Sequence, residues 1–317
     1  MERWESSTKI AGIDVGKRRL DVALYGQQET LVIDNDRAGI GRLIDWLASR
    51  GVVRVGLEAT GGYERAVREA LALAGLEVVV HQPLEVRLFA RLKRLKAKND
   101  RLDAALIAAA TAQVDAVRAA NDPRLSQLAE RLTAYEQMSD QAAQMKTYLE
   151  HVTLKDIARS YQARIRSLES LKARLLKDIL TLVAAHPDLA ARLALLRSLP
   201  GFGPVVAVAV LIRMPELGAL EPGKAAALLG VAPFDSESGQ HKGQRFIQGG
   251  RARPRRLVYI AALAAKRVDP GFRAFAERLK TKGKPPKLVL VAIMRKLIEA
   301  ANLILGQQRP WQTRPAH

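Results

Sequence analysis

The chain has 317 residues, and its 51 Lys and Arg against 32 Asp and Glu leave a formal net charge of +19 and a pI near 10.5. That surplus points to a polyanionic partner; it is concentrated beyond Gln240, where eighteen Lys and Arg face three acids, while the length favours more than one core. The absence of Cys excludes disulfides, thiolate metal sites and a cysteine nucleophile, and without a signal-peptide core or any run near the ~20 apolar residues of a membrane helix a cytoplasmic protein with no membrane partner is expected.

Residues 9–16 form an apolar run that ends in Asp14 and Gly16, and residues 17–24 alternate apolar and polar, so a buried strand, a turn and a half-exposed partner strand are expected. A third strand is expected at 30–34, a helix at 37–50 closed by Gly51, a fourth strand at 52–58, a helix at 63–74 closed by Gly75, and a fifth strand at 76–81. Three leading strands followed by a βαβ alternation define an α/β layer, in the order of the ribonuclease H-like fold. In that fold the first and fourth strands are neighbours, which brings Asp14 and Glu58 together at their carboxyl ends. A carboxylate on a buried strand is costly without a compensating charge or hydrogen bonds, although Asp14 read alone is better explained as a turn cap.

Beyond Pro83 the pattern turns helical. Arg87, Arg91, Lys93, Arg94, Lys96 and Lys98 form a basic run without an acid, leading into a helix near Asn99 that carries Asp100 and Asp103 one turn apart on one face. Read alone, the two acids suit a helix N-terminus. Residues 123–185 contain no glycine, and Ile157, Tyr161, Ile165, Leu168, Leu171, Leu175, Ile179 and Leu182 repeat at three and four. With a hinge at 150–154 they predict a long antiparallel coiled-coil insertion that serves packing or dimerisation.

Leu199-Pro200-Gly201-Phe202-Gly203-Pro204 resembles a helix-hairpin-helix turn, in which Gly201 and Gly203 would present backbone N–H groups to a phosphate; a plain glycine turn between helices is the other reading. A polar loop at 230–240 holds Ser236 and Ser238. Lys242, Arg245, Arg251, Arg253, Arg255 and Arg256 follow, then a helix at 257–268, a basic Gly/Pro loop with Lys282, Lys284 and Lys287, and a helix at 288–305. The organisation expected is a nuclease-like α/β domain at 1–120, dimerisation helices at 121–187, and a mostly helical domain at 188–317 with a basic nucleic-acid-binding surface.

Asp14, Glu58, Asp100 and Asp103 gathered in a basic protein would repel one another unless divalent cations neutralise them, and two-metal carboxylate sites serve chemistry at phosphorus. Gly12-Ile13-Asp14-Val15-Gly16-Lys17, Glu58-Ala59-Thr60-Gly61-Gly62-Tyr63, Lys98-Asn99-Asp100-Arg101-Leu102-Asp103-Ala104, and 229–234 with Ser238-Gly239 and Gly249-Gly250-Arg251 resemble, in order and over nearly the whole chain, the DEDD-type transposases of bacterial insertion sequences, relatives of the Piv DNA invertase. The resemblance implies a RuvC-like domain of ribonuclease H type, a coiled coil and a C-terminal domain with a serine nucleophile. It maps the acid quartet, with Mg²⁺ or Mn²⁺, onto Asp14, Glu58, Asp100 and Asp103, and the nucleophile onto Ser238, with Ser236 as its local competitor. It also implies double-stranded donor and target DNA, a structured guide RNA called a bridge RNA, and a homo-oligomer, a dimer or a tetramer on DNA. Two rivals stand beside it: a junction nuclease that uses metal-activated water, and an architectural nucleic-acid-binding protein whose acids are caps.

Overall fold

Apolar runs separated by polar turns give strands β1 (Lys9–Val15), β2 (Arg19–Leu24) and β3 (Thr30–Asp34), a meander of antiparallel neighbours. Helix α1 (Arg37–Ser49) starts where the Asp36 carboxylate accepts from the Gly39 N–H at 2.7 Å. Strand β4 (Val52–Glu58), helix α2 (Arg65–Leu73) and strand β5 (Glu77–His81) complete a five-stranded mixed sheet of order β3-β2-β1-β4-β5, in which β4 runs parallel to both β1 and β5. The first and fourth strands are therefore neighbours, as the ribonuclease H-like order requires. The structure, a computed structural model, describes residues 9–93, 100–114, 122–234, 237–238, 241–242 and 246–312, with backbone alone at 100–102, 123, 234, 237–238, 241–242 and 246. The chain divides into two units, Met1–Pro123 and Arg124–His317.

One face of the sheet buries Ile13, Leu20, Val22 and Leu57 against Leu43 and Leu47 of α1 and Val67 and Leu71 of α2. Helices α3 (Pro83–Leu92) and α4 (Asp100–Thr111) follow, and α4 covers the opposite face. Strand β2 is buried at every position except Arg19, which corrects the expected half-exposed strand. It lies between two other strands and under helices on both faces, so its polar Asp21 is enclosed with the rest.

Gly12 of β1, Gly56 of β4 and Ala23 of β2 form one row across the sheet beneath α4. A Cβ on Gly12 would collide with the Ala104 carbonyl and the Ala108 amide, and one on Gly56 with the Thr111 hydroxyl. The helix backbone thus rests on the sheet backbone, a separation that only glycine permits.

In the second unit, α5 (Pro123–Leu149) and α6 (Lys155–Ala184) make an antiparallel helical hairpin, tied by the Lys146–Glu169 ion pair at 2.9 Å, by Lys172 over the Tyr135 ring and by an edge contact of Tyr148 with Tyr161. Its seam is buried at Leu168 and Ile179 and opens toward the tip, where Ile157 is 41% exposed. Leu128, Leu132, Ile179 and Val183 at the base share one core with α7 (Pro187–Arg197), α8 (Pro204–Arg213), α9 (Lys224–Leu229), α10 (Ala252–Val268), α11 (Pro270–Thr281) and α12 (Pro286–Gln307). Helix α10 begins earlier than the expected 257, because Pro254 falls in its first turn, where a missing N–H costs nothing. Helix α11 was not foreseen; the Asp269 carboxylate accepts from the Phe272 N–H at 2.9 Å and Pro270 opens the helix. Among the described residues no single helix is long and apolar enough to cross a membrane; α6 and α7 together meet the length and composition only across a 120° bend.

Gly12→Ala is expected to cost about 1–3 kcal/mol, because backbone rather than a movable side chain occupies the space. Gly41→Ala, in open space on α1, should be neutral or stabilise by up to about 1 kcal/mol, and urea denaturation of both variants compares them.

Candidate active site and nucleic-acid interface

The sheet carries a polar row one step beyond its glycine row. Asp14 pairs with Asp21 of β2, Ile13 pairs with Leu57 so that Asp14 and Glu58 stand abreast, and Glu58 pairs with His81 of β5. Side chains paired across a sheet share a face, so Asp21, Asp14, Glu58 and His81 line one face at the carboxyl ends of β1 and β4. Asp14 and Glu58 are half-buried and both have interaction partners. Neighbouring strands run about 4.8 Å apart, a spacing at which two carboxylates repel unless a cation lies between them.

The direction of α4 follows from its contacts. Thr111 lies on Gly56, and the carbonyl of Val114 just beyond it accepts from Arg54 Nη1 at 2.8 Å, two residues back along β4. The helix therefore runs against the strands and turns its N-terminal end toward Asp14 and Glu58. Asp103, Ile107 and Thr111 fall at spacings of four, one stripe of a helix, and Ile107 and Thr111 are the members that meet Gly56. Asp103 is half-buried, while the side chain of Asp100 lies outside the described residues. Among the described residues no three His, Asp or Glu side chains are close enough to share a metal ion. The donor types in the row, carboxylates without thiolate, suit a hard cation such as Mg²⁺.

Three polar residues in or beside the row, Asp21, His81 and Glu64, gave no signal in the sequence. Asp21 is 7% exposed and accepts from Arg19 Nε at 2.8 Å. His81 is 6% exposed and its Nε2 meets Thr111 Oγ1 at 2.9 Å; burial holds its imidazole below the usual histidine range, against the opposing pull of Glu85. Glu64 closes the loop after β4: its Oε2 accepts from Gly62 N at 2.8 Å, Thr60 Oγ1 at 3.0 Å and Thr60 N at 3.1 Å. Burial works against its charged form, yet these hydrogen bonds hold its carboxyl below the usual range.

In the second unit Ser238 lies on a two-residue strand (Glu237–Ser238) paired with His241–Lys242, inside a segment whose ends pair through Pro233–Phe234 and Phe246–Ile247. Short ladders thus occupy what was expected to be a loop. The side chains of Ser238 and Lys242 lie outside the described residues, as do Ser236, Arg245, Arg94, Lys96 and Lys98. At the base of the segment Gly230 and Gly250, both at positive φ, approach backbone to backbone, and Arg255 Nη1 donates to the carbonyls of Gly249 at 2.6 Å and Gly230 at 3.3 Å.

The arginines expected at phosphates have protein partners. Arg251 bonds Glu216 at 2.5 and 2.8 Å, Arg253 pairs with the buried Glu136 together with Arg213, and Arg256 meets Asp140 at 2.7 Å. Arg87, Arg91 and Lys93 are exposed along α3, and Lys282, Lys284 and Lys287 are exposed between α11 and the start of α12. Gly201, at φ +79°, lets the α7–α8 turn press on the Ala261 carbonyl of α10, so packing accounts for it; Gly203 is exposed at the N-cap of α8.

A carboxyl lowered on folding adds stability above its unfolded value and loses it as the pH falls. The acid limb of the melting curve below about pH 4.5 should therefore flatten in Glu64→Gln, as measured by thermal unfolding across pH.

Two family models match the chain in order. One, of the IS110-type DEDD transposases and described as Transposase, covers residues 11–157; the other, described as Transposase IS116/IS110/IS902 family, covers residues 193–277. The pilin gene-inverting proteins of Moraxella bovis and Moraxella lacunata are each 25% identical over 323 aligned residues, 97% of this chain and 99% of theirs. A solved structure of T. thermophilus RuvC in complex with Holliday junction substrate aligns at 18% identity and a TM-score of 0.28, over 33% of this chain and 92% of that one. With both models matched in order and relatives alignable nearly end to end, the chain belongs to the IS110/IS116/IS902 transposase family.

Proposed function

We propose that the protein cuts and rejoins DNA strands as the transposase of an insertion sequence, with Asp14, Glu58, Asp100 and Asp103 holding Mg²⁺ or Mn²⁺ and Ser238 as nucleophile. The observation that carries the metal reading is the register of β1 and β4, which sets Asp14 and Glu58 abreast under the N-terminal end of α4. Bound cations would offset the repulsion among the four carboxylates and withdraw charge from a scissile phosphate.

In the serine step Ser238 Oγ bonds to phosphorus as the bond to the departing deoxyribose oxygen breaks. The hydroxyl proton passes to a base and the departing oxygen takes up a proton, leaving a phosphoserine diester. A DNA hydroxyl then attacks that phosphorus, rejoins the strand and frees the serine, so bond energy is conserved through both transfers. Support for Ser238 is the match of the second family model, which spans it, and the ladder that fixes its backbone between two glycine-closed ends.

The net charge of +19 and the exposed cations of α3 and of 282–287 support extended nucleic-acid contact, with donor and target DNA and a structured guide RNA as partners. The open seam at the tip of the α5–α6 hairpin supports assembly of a homo-oligomer through it.

Incubation with DNA bearing the flanks of its own element, Mg²⁺ and the adjacent noncoding transcript should yield a protein–DNA adduct that survives denaturing electrophoresis. Ser238→Ala should abolish the adduct, Asp14→Asn should abolish adduct and strand cleavage together, and omission of the transcript should reduce both. Hydrolysed ends without an adduct in the wild type would assign the attack to water instead.

A further inference from the structure

The seat of α4 has a lateral anchor that the acid site does not itself explain. His81 is the β5 member of the polar row, next to Glu58, and its Nε2 lies 2.9 Å from Thr111 Oγ1. Thr111, fully buried, donates its own hydroxyl to the Ile107 carbonyl at 2.7 Å. Its oxygen is therefore an acceptor toward His81, which fixes the imidazole as the Nε2–H tautomer. The same hydroxyl rests on Gly56, so one side-chain oxygen touches β4, is held by β5 and is tied to α4. Apolar packing is non-directional, whereas this hydrogen bond is directional and adds a contact that only one register of the helix makes.

We propose that Thr111 and His81 are positioning residues for the acid site: their hydrogen bond fixes the register of α4 on β4 and β5, and with it where Asp103, two turns along the same stripe, falls relative to Asp14 and Glu58. The inference rests on the reading of those acids as metal ligands. Neither residue touches metal or DNA in this account. Partners that orient metal ligands typically govern affinity by 10–100-fold, so loss of the bond should act on cation binding more than on folding.

The test is Mn²⁺ binding to the full chain, followed by electron paramagnetic resonance, in wild type, Thr111→Val, Thr111→Ser and Asp14→Asn, each with a thermal melt. Thr111→Val should raise the half-saturating Mn²⁺ concentration by about tenfold or more. Thr111→Ser, which keeps the hydroxyl, should restore the wild-type value, and Asp14→Asn should lose the site. If Thr111→Val melts at room temperature, the double variant with His81→Leu, which removes both polar ends of the bond, is read in its place with the same expected shift. A folded variant that melts lower yet binds Mn²⁺ as wild type does, while Asp14→Asn loses the ion, makes the bond structural only and overturns the proposal with the acid site intact. Equal binding in wild type and Asp14→Asn, or none in the wild type, overturns the acid site and the proposal with it.

Discussion

Backbone-to-backbone contact between α4 and the sheet is the constraint from which the candidate site follows. Two strands alone can present Asp14 and Glu58, but further carboxylates must come from another element, and a helix held off the sheet by intervening side chains would leave them far above the strand ends. Gly12 and Gly56 remove the side chains in between, and Ala104 and Ala108 keep the helix surface low. The N-terminal turn of α4 is thereby brought down at the carboxyl ends of β1 and β4. Glycine in a strand interior costs conformational entropy and packing, and a strand used only as core wall would gain by replacing it. Two such residues side by side in register are better explained by what they let approach.

The second unit solves a different problem, that of holding several arginines close together. Glu136, 4% exposed on α5, receives both Arg213 of α8 and Arg253 of α10, with Arg256 on Asp140 one turn further along α5. The hairpin is thereby bonded to the basic start of α10, where the Arg251 N–H on the Leu228 carbonyl and Arg255 on the Gly230 and Gly249 carbonyls close the base of the segment carrying Ser238. Arginines that look like a phosphate clamp in sequence are in large part the frame that holds the segment. Glu136 Oε1 and Arg213 Nε are buried without a partner among the described residues, so the hub keeps unused hydrogen-bonding capacity inside the unit.

Much of this was legible in the sequence, for identifiable reasons. Strands β3 and β4 are placed to the residue by apolar runs bounded by Gly51 and by Asp34-Asn35, and the adjacency of Asp14 and Glu58 follows from the likeness of the strand order to the ribonuclease H-like fold. The two long helices α5 and α6 are visible because residues 123–185 lack glycine and 157–182 repeat at three and four. What stayed hidden was non-local. Nothing around Gly12 announces Ala104 and nothing around Arg253 announces Glu136, 117 residues away. The alternation in β2 points to a half-exposed strand and does not reveal that helices cover both faces, so nothing local shows that Asp21 is buried. His81 and Thr111 look like a strand end and a helix end, and only the fold makes them partners.

The measurement that bears most directly on this account is anomalous diffraction from crystals of the protein grown with Mn²⁺. Manganese peaks are expected about 2.1 Å from carboxylate oxygens of Asp14 and Glu58, with Asp103 of the seated helix also a ligand. Full manganese occupancy elsewhere on the molecule, with Asp14 and Glu58 free of the ion, would contradict it.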